Sequence, residues 1–343
     1  MSMSRILLIP FVCKPSVQIF LAGLIVGLTL GLLILFIKTD NSRSNYFKNI
    51  QDYNSYFSVG RGHSEADTHH AMINTTLADE LFSKVKVLCW IMTSPSNHLQ
   101  RAIHVKATWG KRCNKIIFMS SAEEPLLPTV VLPVTENREN LWGKAKEALK
   151  YLYRNYYHEY DWFFKADDDT YAVMENLRYL LYYKNSSQPV YYGCKLKVPD
   201  HNFNYMSGGA GYVLSKAALQ KFVIEALPDM LCRQQNNGLE DVEIGKCLQA
   251  VGVNLGNSLD NEYRHRFTPV FVNEMLVPGV LNDVDWYMKM MYNPNKFGLQ
   301  CCSDNLITTH YVKPHQMYLL EYLIYHVTPF GRAYNPTLLQ RFT

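Results

Sequence analysis

The feature that most narrows the fold is a short apolar run ending in three consecutive carboxylates, Trp162-Phe163-Phe164-Lys165-Ala166-Asp167-Asp168-Asp169-Thr170-Tyr171. Acids crowded at the end of a strand repel one another unless a cation sits among them. In open α/β sheets, ligands gather beyond the carboxyl ends of the strands, which is where these acids fall. Hard oxygen donors that leave coordination positions open suit Mg²⁺ or Mn²⁺ shared with substrate phosphates. The simpler explanation is an acidic turn capping a helix that starts near Val173, but a cap needs one Asp rather than three.

The flanking sequence agrees with an α/β architecture. Residues 86–92 (KVLCWIM) read as a buried strand, followed by a loop and a helix over 98–109. Residues 115–120 and 129–134 read as strands, and 140–157 have helical periodicity with Leu141, Ala145, Ala148, Leu149 and Leu152 on one face. A strand over 162–166, a helix over 173–183 and a strand over 189–193 follow. Strands alternating with helices of this length predict a mostly parallel central sheet. No internal repeat is visible.

Toward the N-terminus, residues 17–37 carry no charge and are apolar except for Gln18 and Thr29. About 20 such residues cross the hydrocarbon of a bilayer as a helix. The segment is therefore predicted to be an uncleaved signal-anchor behind a cytoplasmic tail of residues 1–16; a buried soluble helix is the alternative. Arg5 and Lys14 before the span, against Lys38, Asp40 and Arg43 after it, favour a cytoplasmic N-terminus. Residues 38–83 are polar and rich in Ser and Asn, which reads as a stem, and 84–343 read as the folded luminal region. Asn74 and Asn185 begin N-glycosylation sequons, and His69-His70 in the stem read as solvated. A net charge of +4 with no basic block gives no footprint for nucleic acid, and 13% aromatic residues exclude a disordered chain. Of eight cysteines, Cys13 precedes the span; the other seven contain no CxxC pair, which argues against structural zinc.

Two further segments attract attention. Tyr205-Met206-Ser207-Gly208-Gly209-Ala210-Gly211-Tyr212 would let backbone approach a ligand, or make a tight sheet corner. Gly238-Leu239-Glu240-Asp241 places acids at the start of an amphipathic helix, either as catalytic groups or as complements to its dipole. A GxSxG nucleophile elbow is absent.

The acidic run, the segment Tyr205 to Tyr212 and Glu240-Asp241 resemble, in order and spacing, inverting β1,3-glycosyltransferases. Leu88-Cys89-Trp90-Ile91-Met92-Thr93, His104-Val105-Lys106-Ala107-Thr108-Trp109, Arg112-Cys113-Asn114-Lys115, Cys301-Cys302-Ser303-Asp304, His310-Tyr311-Val312 and Glu321-Tyr322-Leu323 are similar to the core 1 β1,3-galactosyltransferase family. The resemblance spans roughly residues 84–336 and implies a GT-A-type (Rossmann-like) α/β fold behind the membrane anchor. It implies transfer of galactose from UDP-galactose to the 3-hydroxyl of GalNAc α-linked to Ser or Thr, in the Golgi or ER–Golgi membrane. Mn²⁺ would be held by Asp167, Asp169 and His310, with Asp168 positioning the nucleotide sugar. Nucleotide contacts carry over to Met92, Thr93, Glu136, Asn137, Arg138 and Lys144. The general base would be Asp241; Gly208, Gly209, Glu240, Asp241, Trp286 and Tyr311 would face the sugar substrates. The same analogy pairs Cys89 with Cys113, Cys232 with Cys247 and Cys301 with Cys302, leaving Cys194 free. It also brings a homodimer and a dedicated chaperone as candidate partners.

The chain departs from the family where an aromatic-rich acceptor segment is expected. It reads Asp285-Trp286-Tyr287-Met288-Lys289-Met290-Met291-Tyr292 here, and the upstream 273–277 stretch lacks its usual histidine. These differences bear on the acceptor more than on the donor. Two rival expectations are a relative with another acceptor and a chaperone-like relative; the retained Asp167-Asp168-Asp169, Asp241 and His310 argue against the latter.

Overall fold

A computed structural model describes residues 22–34, 75–199, 201–277, 285–294 and 296–327, with 285 and 286 as backbone only. The chain divides into a unit of residues 1–66 and a unit of residues 67–343. In the first, residues 22–34 are helical, and the Thr29 hydroxyl donates to the carbonyls of Ile25 and Val26 at 3.0 and 2.9 Å, satisfying it inside the helix. The rest of the anchor expected over 17–37 lies outside the described residues, and among the described residues no helix is long and apolar enough to cross a membrane.

The second unit is built on a seven-stranded sheet. Its strands, with those of two small sheets, are β1 (Val87–Met92), β2 (Lys115–Ser120), β3 (Thr129–Val131), β4 (Trp162–Asp167), β5 (Tyr171–Ala172), β6 (Val190–Gly193), β7 (Lys195–Lys197), β8 (Asn204–Met206), β9 (Tyr212–Ser215), β10 (Asn254–Leu255), β11 (Phe267–Thr268) and β12 (Thr308–Thr309). The large sheet has the order β10-β6-β9-β4-β1-β2-β3. Every pairing in it is parallel except those of β9, which runs against both β4 and β6. Uninterrupted apolar runs such as Val87–Met92 suit strands covered on both faces, and β1 is buried along its whole length.

The helices are α1 (Thr76–Lys84), α2 (Ile103–Ala107), α3 (Leu141–Tyr156), α4 (Met174–Leu181), α5 (Lys216–Lys221), α6 (Glu240–Ala250), α7 (Val272–Leu276), α8 (Asp285–Met290) and α9 (Pro314–Tyr325). Trp142, Ala145, Leu149 and Leu152 of α3 pack with Trp90, Phe163 and Tyr212 of the sheet, and with Ile244 and Leu248 of α6, in one core. The helix expected over 98–109 is broken: a widened turn at His98–Ala102 leads into α2, and Thr108 leaves helical geometry at φ −106° and ψ −113°. The break lets the buried Trp109 donate its indole N–H to the Thr170 carbonyl at 2.9 Å. The strand expected over 129–134 closes after Val131. The segment read as stem ends in α1, which packs near α4 and buries Leu81, so the folded unit starts before residue 84.

Disulfides join Cys89 to Cys113, Cys232 to Cys247 and Cys301 to Cys302. Cys194 is free and buried; burial pushes its thiol up to about 12, which keeps it protonated and unreactive. The C-terminal α9 is anchored by Glu321, which is fully buried. Arg112 donates to both Glu321 oxygens at 2.9 and 2.8 Å, Lys111 lies 3.0 Å from one of them, and the Tyr171 hydroxyl donates to the other at 3.0 Å.

Candidate active site

β1 and β4 end level with one another, because Met92 pairs with Asp167. The three acids therefore emerge at the carboxyl-end rim of the sheet, beside Thr93. Asp168 is buried and accepts the Thr93 hydroxyl at 2.7 Å; burial pushes its carboxyl up to about 7. Asp167 and Asp169 reach the ring of His310 instead. The small sheet explains how a residue from the far end of the chain joins them: β12 pairs antiparallel with β5, placing Thr309 opposite Tyr171. The Val312 amide then donates to the Asp169 carbonyl at 2.8 Å, and His310 falls over the two acids.

Each carboxylate gives one oxygen to a fixed cation and turns the other toward the imidazole. Asp167 Oδ1 meets Lys165 Nζ at 2.7 Å while Oδ2 lies 3.8 Å from His310 Nε2. Asp169 Oδ2 meets Arg101 Nη1 at 2.8 Å while Oδ1 lies 3.1 Å from the same Nε2. His310 Nδ1 sits 3.2 Å from the Pro269 carbonyl; donating its proton there leaves Nε2 with a lone pair, the orientation a metal-ligating histidine takes. The ligand atoms of Asp167, Asp169 and His310 all lie within 4.8 Å of one another. Two carboxylates and an imidazole around an open face fit a hard divalent cation that shares its remaining positions with phosphate oxygens.

Lys165 is the pivot of the second half of the site. It shares a strand face with Asp167, two residues on, and is buried beneath Tyr212. Burial pulls its ammonium down, but Asp167 and Glu240 outweigh burial and hold it above its ordinary value. Its Nζ also donates to the Gly208 carbonyl at 3.0 Å. The Gly208 amide in turn donates to Asp241 Oδ2 at 2.9 Å, and the Val242 amide donates to Oδ1 at the same distance. Asp241, in the first turn of α6, is thus fixed in rotamer yet half-exposed, and burial raises its carboxyl above the usual range. A proton acceptor needs just this combination of fixed aim and raised basicity.

The other expected residues divide into two groups. Glu240 turns inward, accepting the Tyr212 hydroxyl at 2.5 Å and lying 3.6 Å from Lys165; it supports the site instead of facing solvent. The two glycines let the turn close against functional groups: a Cβ on Gly209 would come within 2.2 Å of the His310 ring, and one on Gly208 within 2.8 Å of Glu240 Oε2. Lys144 is buried, donates to the Thr93 carbonyl and pairs with Glu136 at 2.7 Å, so those nucleotide candidates brace one another beside Met92. The Asn137 side chain caps a turn by accepting the Asn140 amide at 2.7 Å, next to the exposed Arg138. Tyr311, half-exposed at φ +55°, stacks on His310 with ring centroids 3.9 Å apart. The side chain of Trp286 lies outside the described residues.

Sequence reasoning missed Arg101 and Lys165. Lys165 carried a signal, as the lone charge within the apolar stretch WFFKA ahead of the acids; Arg101 carried none, since only the broken helix aims it at Asp169.

A parallel-rich sheet with acids and a histidine at its carboxyl-end rim is a framework on which phosphate-bearing ligands are commonly bound. The profile of the Fringe-like family matches residues 82–260, and the chain belongs to this family of glycosyltransferases. It is 43% identical over 267 residues to the glycoprotein-N-acetylgalactosamine 3-beta-galactosyltransferase 1 of Xenopus laevis, covering 78% of this chain and 73% of that one. It is 27% identical over 178 residues to the beta-1,3-glucosyltransferase of Mus musculus, covering 51% of this chain and 35% of that one. With the chondroitin sulfate synthase 3 of Homo sapiens it shares 29% identity over 183 residues, 47% of this chain and 20% of that one. The matched family span holds Asp167, Asp169 and Asp241 but stops short of His310.

Proposed function

We propose that the chain is an inverting, Mn²⁺-dependent β1,3-galactosyltransferase of GT-A type, moving galactose from UDP-galactose to the 3-hydroxyl of GalNAc α-linked to Ser or Thr. In this reading it is a single-pass type II protein of the Golgi or ER–Golgi membrane: a tail of residues 1–16, an anchor of 17–37, a short stem and a luminal catalytic domain. The observation that carries the reading is the convergence of Asp167, Asp169 and His310 beside Asp241, in a chain 43% identical to a galactosyltransferase over most of its length.

A β-linkage made from an α-linked donor requires inversion, so a single displacement with one base suffices. Asp241 Oδ1 or Oδ2 takes the proton of the acceptor hydroxyl as its oxygen attacks the anomeric carbon; Gly208 and Val242 hold the carboxylate in line. Asp167, Asp169 and His310 would hold a divalent cation, which would supply positive charge against that developing on the departing diphosphate. Thr93 and the Lys144–Glu136 pair form the floor under the nucleotide, and Tyr311 covers His310 from solvent.

The test is incubation of the purified luminal chain with UDP-galactose, Mn²⁺ and a GalNAcα-Thr peptide. The expected product is a β1,3-linked disaccharide, lost on chelation; absence of transfer to any GalNAc-terminated acceptor overturns the reading. A second reading, the same donor chemistry with another acceptor, draws on Lys289 and the methionines of the 285–292 segment, and a panel of β-linked acceptors separates the two.

A further inference from the structure

A cavity of about 210 Å³ lies on the same rim of the large sheet, away from the metal-ligand cluster. Its walls are Gly193 and Leu255 at the ends of β6 and β10, Lys195 of β7, and Tyr263, Arg266 and Tyr292. Strands β6 and β10 run in the same direction as β4, so the cavity opens at carboxyl ends, where sheets of this kind take ligands. The order β10-β6-β9-β4 sets it two to three strand spacings from Asp167, about 10–14 Å.

The charge of this cavity is one-sided. Among the described residues, Lys195 and Arg266 line it and no Asp or Glu does. Neither cation makes an ion pair among the described residues; each rests on an aromatic ring, Lys195 Nζ 3.5 Å from the centroid of Tyr292 and the Arg266 guanidinium 5.6 Å from that of Tyr179. Arg266 Nε is buried without a hydrogen-bond partner, an unusual state for a guanidinium donor. His265, also in the wall, is held below its ordinary value by burial and adds no positive charge near neutral pH. Two uncompensated cations and exposed tyrosine edges make a site for a small anion on a partly apolar stem. The volume falls below the roughly 300–1,000 Å³ of sites for whole small molecules and suits a single side chain of a larger partner.

We propose that this cavity binds the carboxylate of an Asp or Glu in the acceptor polypeptide, three or four residues from the one that carries the sugar. The roughly 10–14 Å between the cavity and the rim at Asp167 is the span of three to four extended residues at about 3.3 Å each, which sets the scale of the reach. The site selects among acceptors and takes no part in the displacement. The proposal rests on the acceptor reading above, and its test is arranged so that the two fail separately.

The experiment uses GalNAcα-Thr peptides with one Glu moved through the four positions on either side, each matched by a Gln peptide. Binding is read by fluorescence anisotropy with UDP and Mn²⁺, and transfer by steady-state kinetics. Glu at a distance of three or four residues is expected to lower both Kd and KM about tenfold relative to Gln, with kcat unchanged. In Lys195→Gln the two peptides become equivalent, while the KM for UDP-galactose stays at its wild-type value. Arg266→Lys, which keeps the charge, retains part of the preference. Glu and Gln peptides that bind alike at every position overturn the proposal, as does a preference that survives Lys195→Gln or one shown only by acidic sugars. Transfer without a Glu preference removes the cavity's role and leaves the proposed function standing. A Glu preference in binding without any transfer does the reverse.

Discussion

Two groups of buried and half-buried acids in this protein are handled in opposite ways. Around α9, Glu321 and Glu175 face Arg112 and Lys111, two acids against two cations, with hydroxyls from Tyr171 and Tyr325 completing the set. Burial pushes the Glu321 carboxyl up, but Arg112 and Lys111 outweigh burial and hold it below its ordinary value. At the rim of β4, Asp167, Asp168, Asp169, Glu240 and Asp241 are paired, among the described residues, with Lys165 and Arg101, while Lys144 pairs with Glu136. Burial prevails at Asp168, Glu240 and Asp241, which sit above their ordinary values, whereas His310 and Arg101 outweigh burial at Asp169 and hold it below its own. A closed charge balance locks a helix in place, whereas a deficit of positive charge beside an open face leaves room for a divalent ion and a diphosphate.

The sharpest way to probe the open cluster is Asp241→Asn. It keeps the acceptor for the Gly208 amide but removes the base, so kcat falls by about 10²–10⁴-fold while Mn²⁺-dependent UDP binding measured by calorimetry is retained. Wild-type turnover in that variant would take Asp241 out of the mechanism. Next comes Glu321→Gln, which removes the buried one of the two carboxylates facing Arg112 and Lys111 and costs about 3–5 kcal/mol by denaturant melts. A cost below 1 kcal/mol would show that α9 is held by packing alone.

The balanced region has a pH limit of its own. His104, buried and hydrogen-bonded to Tyr318 of α9 at 2.9 Å, is lowered by burial to about 4. Because its folded value is depressed below that of the unfolded chain, its contribution is intact above pH 6.5 and is lost as pH falls toward 4, up to about 3 kcal/mol. His104→Gln should flatten the melting temperature over that range, and an unchanged slope would assign the acid sensitivity to another group. The smallest effect distinguishes the clusters most directly. Asp168→Asn keeps an acceptor for Thr93 and relieves a buried charge, so the metal-free protein gains about 1 kcal/mol in a thermal melt, opposite in sign to Glu321→Gln. If both substitutions destabilise alike, the contrast between the two clusters fails.

Much of the sheet was legible because its strands are self-contained apolar runs: residues 115–120 form β2 to the residue, and 162–166 extend by one to form β4. The acids were legible for the same reason, as an abrupt change of polarity at a strand end. What could not be read is what tertiary contacts decide. The helix over 98–109 breaks to seat Trp109 against Thr170, and α1 forms where the polar sequence pattern shows no strong period because one residue, Leu81, finds a place in the core. The cations of the site illustrate the divide: Lys165 is marked by its strand, while Arg101 acquires meaning only from the turn that carries it. His310 was expected from family resemblance alone, and its place depends on the pairing of two-residue strands too short to predict.

That pairing has a consequence for biosynthesis. All strands of the large sheet are translated before residue 260, yet the imidazole that faces Asp167 and Asp169 comes at position 310. A fragment ending before residue 310 would therefore carry every strand of the large sheet and two acids of the cluster, yet lack the imidazole that faces them.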